Sequence, residues 1–349
     1  MSQTGGERAG MPSVLFVTEG GGEVGLGHIS RCRALARALV GIGGRAAFLV
    51  PPEPTVQALL GSLPATVVVE PWPLYPARAV AAVRSLDPDA VVVDSYKASI
   101  ELFVALRALA PVVAVDDTAD RPLPVDVVVN GGVAAESLLY DRTTDTVFLL
   151  GSRYALLDPQ FADSPERPAR TRVSRLLVTL GGGPSTTDLT AAIAAADAVV
   201  ENGTIDVAAG PFGADAAALD AIARAARNRV IVHRDRFGLR ALMLEADLAV
   251  SGAGMTLYEL SAVGTPAVTV CMADNQEPNA AAFDRAGAAP CAARAGEPAL
   301  REKLESVLRR LAGDAAARAD IAGRARRLVD GRGAARVAEH ILRPALARR

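Results

Sequence analysis

The sequence predicts an α/β protein of two domains, each built on a parallel sheet flanked by helices. Three observations carry that reading. The chain has 349 residues, beyond the roughly 100–200 usual for one domain. Short valine-rich runs alternate with longer Ala/Leu/Arg stretches, as they do where strands buried on both faces are joined by helices. Residues 157–172 break the alternation with three prolines and no clean apolar period, and so read as a linker. The expected domains are residues 1–160 and residues 161–349, the second closing in a helical tail.

In the first domain, continuous apolar runs place strands at 13–18, 46–50, 66–70, 90–94, 112–116 and 127–130. Each is too short for a helix and lacks the polar alternation of a sheet with one wet face. The pattern resumes past the linker at 175–180, 205–209, 230–233, 248–251 and 267–271. Beyond Pro298, helix-forming Ala, Leu, Arg and Glu dominate, with Gly313, Gly323 and Gly331 as expected stops. Leu304, Leu308, Leu311, Ile321 and Leu328 supply an apolar face, so the tail's arginines read as a solvated surface and not as a nucleic-acid arm.

Composition narrows the function classes. Half the residues are apolar, enough for a sizeable core. Lys and Arg number 37 against 39 Asp and Glu, a formal net charge of -2, which leaves no basic field for a polyanion and argues against nucleic-acid partners. Cys32, Cys271 and Cys291 are far apart without a CxxC, which predicts no zinc knuckle, no disulfide framework and a reducing, cytoplasmic setting. The first twelve residues lack the basic and apolar regions of a secretory leader, and no apolar run reaches the ~18 residues of a membrane span.

Parallel α/β sheets bind ligands outside the carboxyl ends of their strands, so the strand-to-helix loops are where chemistry is expected. After the first strand, EGGGEVGLGH (19–28) leads into a helix whose Ile29, Cys32, Leu35, Ala36 and Leu39 share one face. His28 then falls in the first turn, where unpaired N–H groups and partial positive charge favour an anion and a neutral imidazole. Lined by Gly25 and Gly27, a neutral His28 reads as a general base, a role worth on the order of 10²–10⁴ in rate. The plainer reading is a residue that helps terminate a helix. The third glycine and the acidic partner of the dinucleotide fingerprint are missing, so NAD is not expected.

In the second domain, LGGGPS (180–185) sets Gly182 and Gly183 at a strand end, either to admit a substrate or to make a tight turn. In DLAVSGAGMTLYEL (247–260), Gly252, Ala253 and Gly254 let backbone approach a diphosphate. Met255 and Thr256 follow at the helix start, and Glu259 is placed to accept from ribose hydroxyls. Thr256 and Glu259 equally fit a capping box that binds nothing. Asp274, Asn275 and Gln276 offer donors and acceptors to sugar hydroxyls or amides, with an N-cap as the alternative for Asp274. The set fits a small-molecule nucleotide sugar.

In this order, GLGHISRC (25–32), VVVDSY (91–96), VDD (115–117), GSRYALLDPQF (151–161), LVTLGGG (177–183), ADLAVSGAGMTLYE (246–259) and ADNQ (273–276) resemble the PseG/SpsG family, the UDP-sugar hydrolases of pseudaminic acid biosynthesis. That family belongs with MurG-like enzymes of the GT-B fold. The resemblance implies two Rossmann-like domains whose parallel sheets face across a cleft. It implies a hydrolase in which water, activated by His28, attacks the anomeric carbon of a UDP-linked 2,4-diacetamido-2,4,6-trideoxy sugar and UDP leaves. Residues 252–259 would then grip UDP, Tyr96 and Asn275 would line the sugar, and no metal or other cofactor would take part. The chain departs from the family in its triple-glycine loop with two glutamates, in Ile29-Ser30 after the histidine, and in Lys97-Ala98-Ser99 after the tyrosine. These departures leave a GT-B glycosyltransferase, passing the sugar from UDP to a small-molecule or glycan acceptor, as the alternative.

Overall fold

The structure, a computed structural model, describes residues 10–347 apart from 23, 143, 144, 167–169, 182, 211, 213 and 235–237. It divides into two compact units, one of residues up to Pro159 joined by the segment from Arg332 onward, the other of residues 160–331.

In the first unit, β1 (Ser13–Thr18), β2 (Arg45–Val50), β3 (Ala65–Val69), β4 (Ala90–Asp94), β5 (Val112–Val115), β6 (Val127–Asn130) and β7 (Val147–Leu150) form one sheet in the order β3-β2-β1-β4-β5-β6-β7. Every pairing is parallel. Helices α1 (Gly27–Gly41), α2 (Pro54–Leu60), α3 (Ala77–Leu86) and α4 (Ile100–Arg107) are its crossovers. Alternate residues of the same strand serve different cores. Val14 and Phe16 pack with Ile29 and Leu35, while Leu15 and Val17 pack with Trp72 and Phe103. Both faces are therefore buried, which is why these strands read as unbroken apolar runs. The sequence reading does not anticipate β7, a four-residue edge strand whose first residue, Val147, is exposed.

In the second unit, β8 (Arg175–Thr179), β9 (Thr204–Ala208), β10 (Arg229–His233), β11 (Leu248–Gly252), β12 (Ala267–Cys271) and β13 (Cys291–Arg294) give the order β10-β9-β8-β11-β12-β13. All pairings are again parallel. Around it lie α5 (Thr186–Val199), α6 (Ala216–Ala225), α7 (Arg240–Glu245), α8 (Met255–Val263), α9 (Glu277–Arg285), α10 (Leu300–Ala312) and α11 (Ala315–Leu328). β13 escapes the sequence reading too: Cys-Ala-Ala-Arg has no β-branched residue, and its pairing with β12 carries a register shift.

Each sheet has one topological switch point, between β1 and β4 in the first unit and between β8 and β11 in the second. Chains leaving neighbouring strands there run in opposite senses and open a crevice at the carboxyl ends. The loops after β1 and β4, and after β8 and β11, are the places this topology prepares for ligand.

The tail departs from expectation twice. Gly323 stops nothing, lying inside α11, where a glycine costs about 1 kcal/mol relative to alanine and does not end a helix by itself. The final helix, α12 (Gly333–Ala347), belongs to the first unit and not to the second. Its Ala334, Val337, Ala338, Ile341 and Leu342 complete the core containing Leu35 and Leu39 of α1. The chain re-enters through Gly333, where a Cβ would lie 2.2 Å from the Ala155 carbonyl oxygen.

Candidate functional sites in the two units

In the first unit, the loop after β1 folds back on itself, with Gly21 and Gly25 exchanging backbone hydrogen bonds of 2.9 and 2.7 Å. Gly25 takes φ +73°, a left-handed conformation that favours glycine. The loop then starts α1 at Gly27, which puts His28 in the first turn, 4% exposed, as the sequence reading expects. A Cβ at Gly25 or at Gly27 would meet nothing within 4 Å, so both border open space.

The partner of His28 comes from the other side of the switch point. Thr18, at the end of β1, pairs with Asp94, at the end of β4, and the fully buried Asp94 Oδ1 lies 2.6 Å from His28 Nδ1. Burial works against the Asp94 charge. The Arg31 guanidinium, then His28, outweigh it and hold the carboxyl at about 2. A carboxylate only accepts, so Nδ1 carries the proton and donates, which leaves Nε2 as the imidazole's lone-pair nitrogen. Arg31 Nη2 also lies 3.0 Å from Nδ1, but it donates to Asp94 Oδ1 at 2.7 Å. The sequence reading placed His28 in the field of a helix end alone, and the structure adds a buried carboxylate at contact distance.

Around this dyad the cluster extends. Arg31, one helical turn after His28, forks onto Asp94 through Nε at 2.6 Å and Nη2 at 2.7 Å. Its Nη1 reaches Asp117 at 2.9 Å. Burial lowers the Arg31 pKa, but Asp94 and Asp117 together raise it well above the usual value. Tyr96 donates its hydroxyl to the other Asp117 oxygen at 2.8 Å and stands edge-on to the His28 ring, with centroids 4.6 Å apart. Asp116 is tied away by Tyr140 Oη at 2.7 Å and the Ala119 amide at 2.8 Å. Glu19, buried at the end of β1, accepts from Ser95 Oγ and pairs with Lys97 at 3.2 Å.

Of the residues expected from sequence, the first unit brings together Gly25, Gly27, His28 and Tyr96. Arg31, Asp94, Asp117 and Glu19 were missed as site residues. Two of them had a signal: Arg31 lies three positions from His28 on one helix face, and Asp94 closes a fully apolar strand at its carboxyl end.

In the second unit, Gly252 ends β11 in a tight place. A Cβ there would lie 3.0 Å from the Leu180 carbonyl oxygen and 3.1 Å from Met272 Cγ, so the ends of β8 and β12 both crowd it. α8 then begins at Met255 with Gly254 as N-cap and no side-chain cap. Thr256 is the second helical residue, not the N-cap, so it and Glu259 do not form a capping box. Gln276 turns inward: its Oε1 accepts from the Ala253 amide at 3.0 Å and the Met272 amide at 3.3 Å, stapling the loop after β12 to the loop after β11. Asp274 is not an N-cap either, since α9 is capped by Gln276. It is exposed and paired with Arg294, which also holds Glu277 at 3.0 Å. Asn275 is exposed. Gly183 packs 3.5 Å from Phe212 through its would-be Cβ, whereas Gly182 lies outside the described residues.

Among the described residues, no three His, Cys, Asp or Glu side chains converge to hold a metal, and no helix is long and apolar enough to cross a membrane.

Residues 237–329 match the family model of the glycosyltransferase family 28 C-terminal domain, a match that ends close to Gly331, the last residue of the second unit. No curated protein matches the chain. Solved structures do. MurG of Acinetobacter baumannii is 19% identical with a TM-score of 0.64, over 95% of this chain and 99% of that one. CalG4, the calicheamicin glycosyltransferase, is 18% identical with a TM-score of 0.64, over 97% and 99%. A co-structure of S. aureus MnaA with UDP is 12% identical with a TM-score of 0.67, over 96% and 98%. At such identities the likeness defines the fold. The chain is a two-sheet α/β protein of the GT-B fold, as the sequence predicts, and resembles MurG in architecture.

Proposed function

We propose that the chain is a glycosyl-transferring enzyme that draws on a UDP-sugar and uses His28 as general base. The single observation that carries this reading is the buried His28–Asp94 dyad at the first switch point. Asp94 fixes the tautomer, so that Nε2 takes the proton of the attacking hydroxyl as its oxygen bonds to the anomeric carbon. The anomeric C–O bond breaks with its electron pair passing to UDP. The glycine turn at 252–254 and the start of α8 are assigned the diphosphate, on the physics of a helix N-terminus and on the family 28 match over residues 237–329. UDP as the nucleotide is supported by the similarity to the MnaA structure that contains it. No metal is assigned a part.

The family match and the solved glycosyltransferases favour a sugar or small-molecule acceptor, more directly than they favour water. Hydrolysis stays as the second reading on one observation, the ordered motif set from GLGHISRC to ADNQ that resembles the PseG/SpsG hydrolases. The two readings separate in one assay of UDP release from a panel of UDP-sugars, with and without candidate acceptors. Acceptor-dependent release identifies transfer, whereas equal release without acceptor, with free sugar formed, identifies hydrolysis. His28→Ala is expected to lower the rate by a factor on the order of 10²–10⁴ in either case, and a variant turning over at the wild-type rate removes the base.

A further inference from the structure

We infer that Asp117 is a positioning residue whose charge stabilises His28 in its proton-loaded state, an inference that rests on His28 being the base. The contacts form a closed circuit. His28 donates to Asp94, Asp94 is forked by Arg31, Arg31 reaches Asp117 at 2.9 Å, Asp117 accepts from Tyr96, and the Tyr96 ring returns to the edge of His28. Two carboxylates and one guanidinium give this circuit one net negative charge when the imidazole is neutral. Once the imidazole holds a second proton, the circuit is balanced.

Without Asp117 the balance moves. Arg31 alone would neutralise Asp94, and a newly formed imidazolium would then be an uncompensated charge in a buried place. Asp117 does this without touching the imidazole, working through Arg31 and through its electrostatic field. Its side chain is 34% exposed, so the effect is a screened one. Of the other charged groups around the cluster, Asp116 is held by the neutral Tyr140 hydroxyl and the Ala119 amide, and Arg121 donates to the Ser95 and Tyr96 carbonyl oxygens. Cys32 Sγ donates to Asp94 at 3.5 Å and is held as the neutral thiol by burial, then by Asp94. Glu19 and Lys97 pair with one another.

The test needs neither donor nor turnover, so it stands apart from the assay of transfer. The chain has three histidines, and the imidazole resonance of His28 in the full-length protein is identified by its loss in His28→Gln. Its titration midpoint is then followed by NMR. Asp117→Asn is expected to lower the midpoint by about half a pH unit or more. Asp117→Glu is expected to bring it back, and Tyr96→Phe, which keeps the ring and all the charges, to leave it within about 0.2 unit of wild type. Should Asp117→Asn not fold, Asp117→Ser serves as the neutral variant. A midpoint that stays put in a folded neutral variant overturns the inference, as does a Tyr96→Phe shift equal to that of Asp117→Asn, which would make Asp117 no more than a tether for the tyrosine. In an active enzyme the acid limb of kcat/KM moves with the midpoint.

Discussion

A carboxylate with no solvent exposure is stable only when its donors replace water, and Asp94 has three side chains doing so, His28, Arg31 and Cys32. Asp94→Asn keeps the shape but offers an amide where an acceptor was, so Nδ1 no longer has to carry the proton and Nε2 no longer has to be the base. A fall in kcat on the order of 10²–10⁴ is expected, with KM little changed, from steady-state kinetics on the best UDP-sugar. A KM effect alone would place Asp94 in binding. The same residue sets a pH dependence. Its folded-state pKa of about 2 lies below the ordinary aspartate value of about 3.9, so its ionisation stabilises the fold above pH ~4 and that contribution is lost as the pH falls towards 2. The difference in melting temperature between wild type and Asp94→Asn is therefore expected to narrow as the pH is lowered from about 5 to about 2.5. A gap that is constant over that range contradicts the assignment.

The strand-to-helix loops carry the candidate site, and here its local geometry was legible in part. Valine-rich runs announced eleven of the strands because strands buried on both faces leave a continuous apolar trace. His28 and the glycine turn at 252–254 were legible because loop composition before a helix is a local signal. The link from His28 to Asp94 spans 66 positions and depends on β1 and β4 being neighbours, a fact of topology that no local pattern holds. Gln276 has a structural partner of the same non-local kind: its Oε1 accepts from two backbone N–H groups, a contact that exists only because β11 and β12 lie side by side. The element-scale prediction concerns Gly252. An alanine methyl at 3.0 Å from the Leu180 carbonyl oxygen forces the turn to shift, and overpacking of that kind costs about 1–3 kcal/mol. UDP affinity of Gly252→Ala by calorimetry is expected to fall by roughly 10- to 100-fold. Affinity within twofold of wild type would detach the turn from nucleotide binding.

At the scale of the whole chain, the informative feature is the return of α12 to the first unit. The sequence marks this stretch only as helix-forming, with the tail's apolar face drawn from residues 304–328, and helix-forming composition never says which core a helix joins. The chain order favoured the nearer sheet, and the packing of Val337, Ala338, Ile341 and Leu342 with α1 decided for the distant one. Because α1 also carries His28 and Arg31, the last helix braces the helix that bears the proposed base. Leu342 is fully packed, with its Cδ1 3.4 Å from the would-be Cβ of Gly44 at the end of the α1 turn. Leu342→Ala removes about 2–5 kcal/mol from the first unit if the cavity does not collapse. In hydrogen exchange followed by mass spectrometry, peptides covering α1 and β2 are expected to lose protection, while those covering β11 and α8 keep theirs. Equal loss in both sets would mean that α12 stabilises the second unit as much as the first, and the assignment of this helix to the His28 unit would fall.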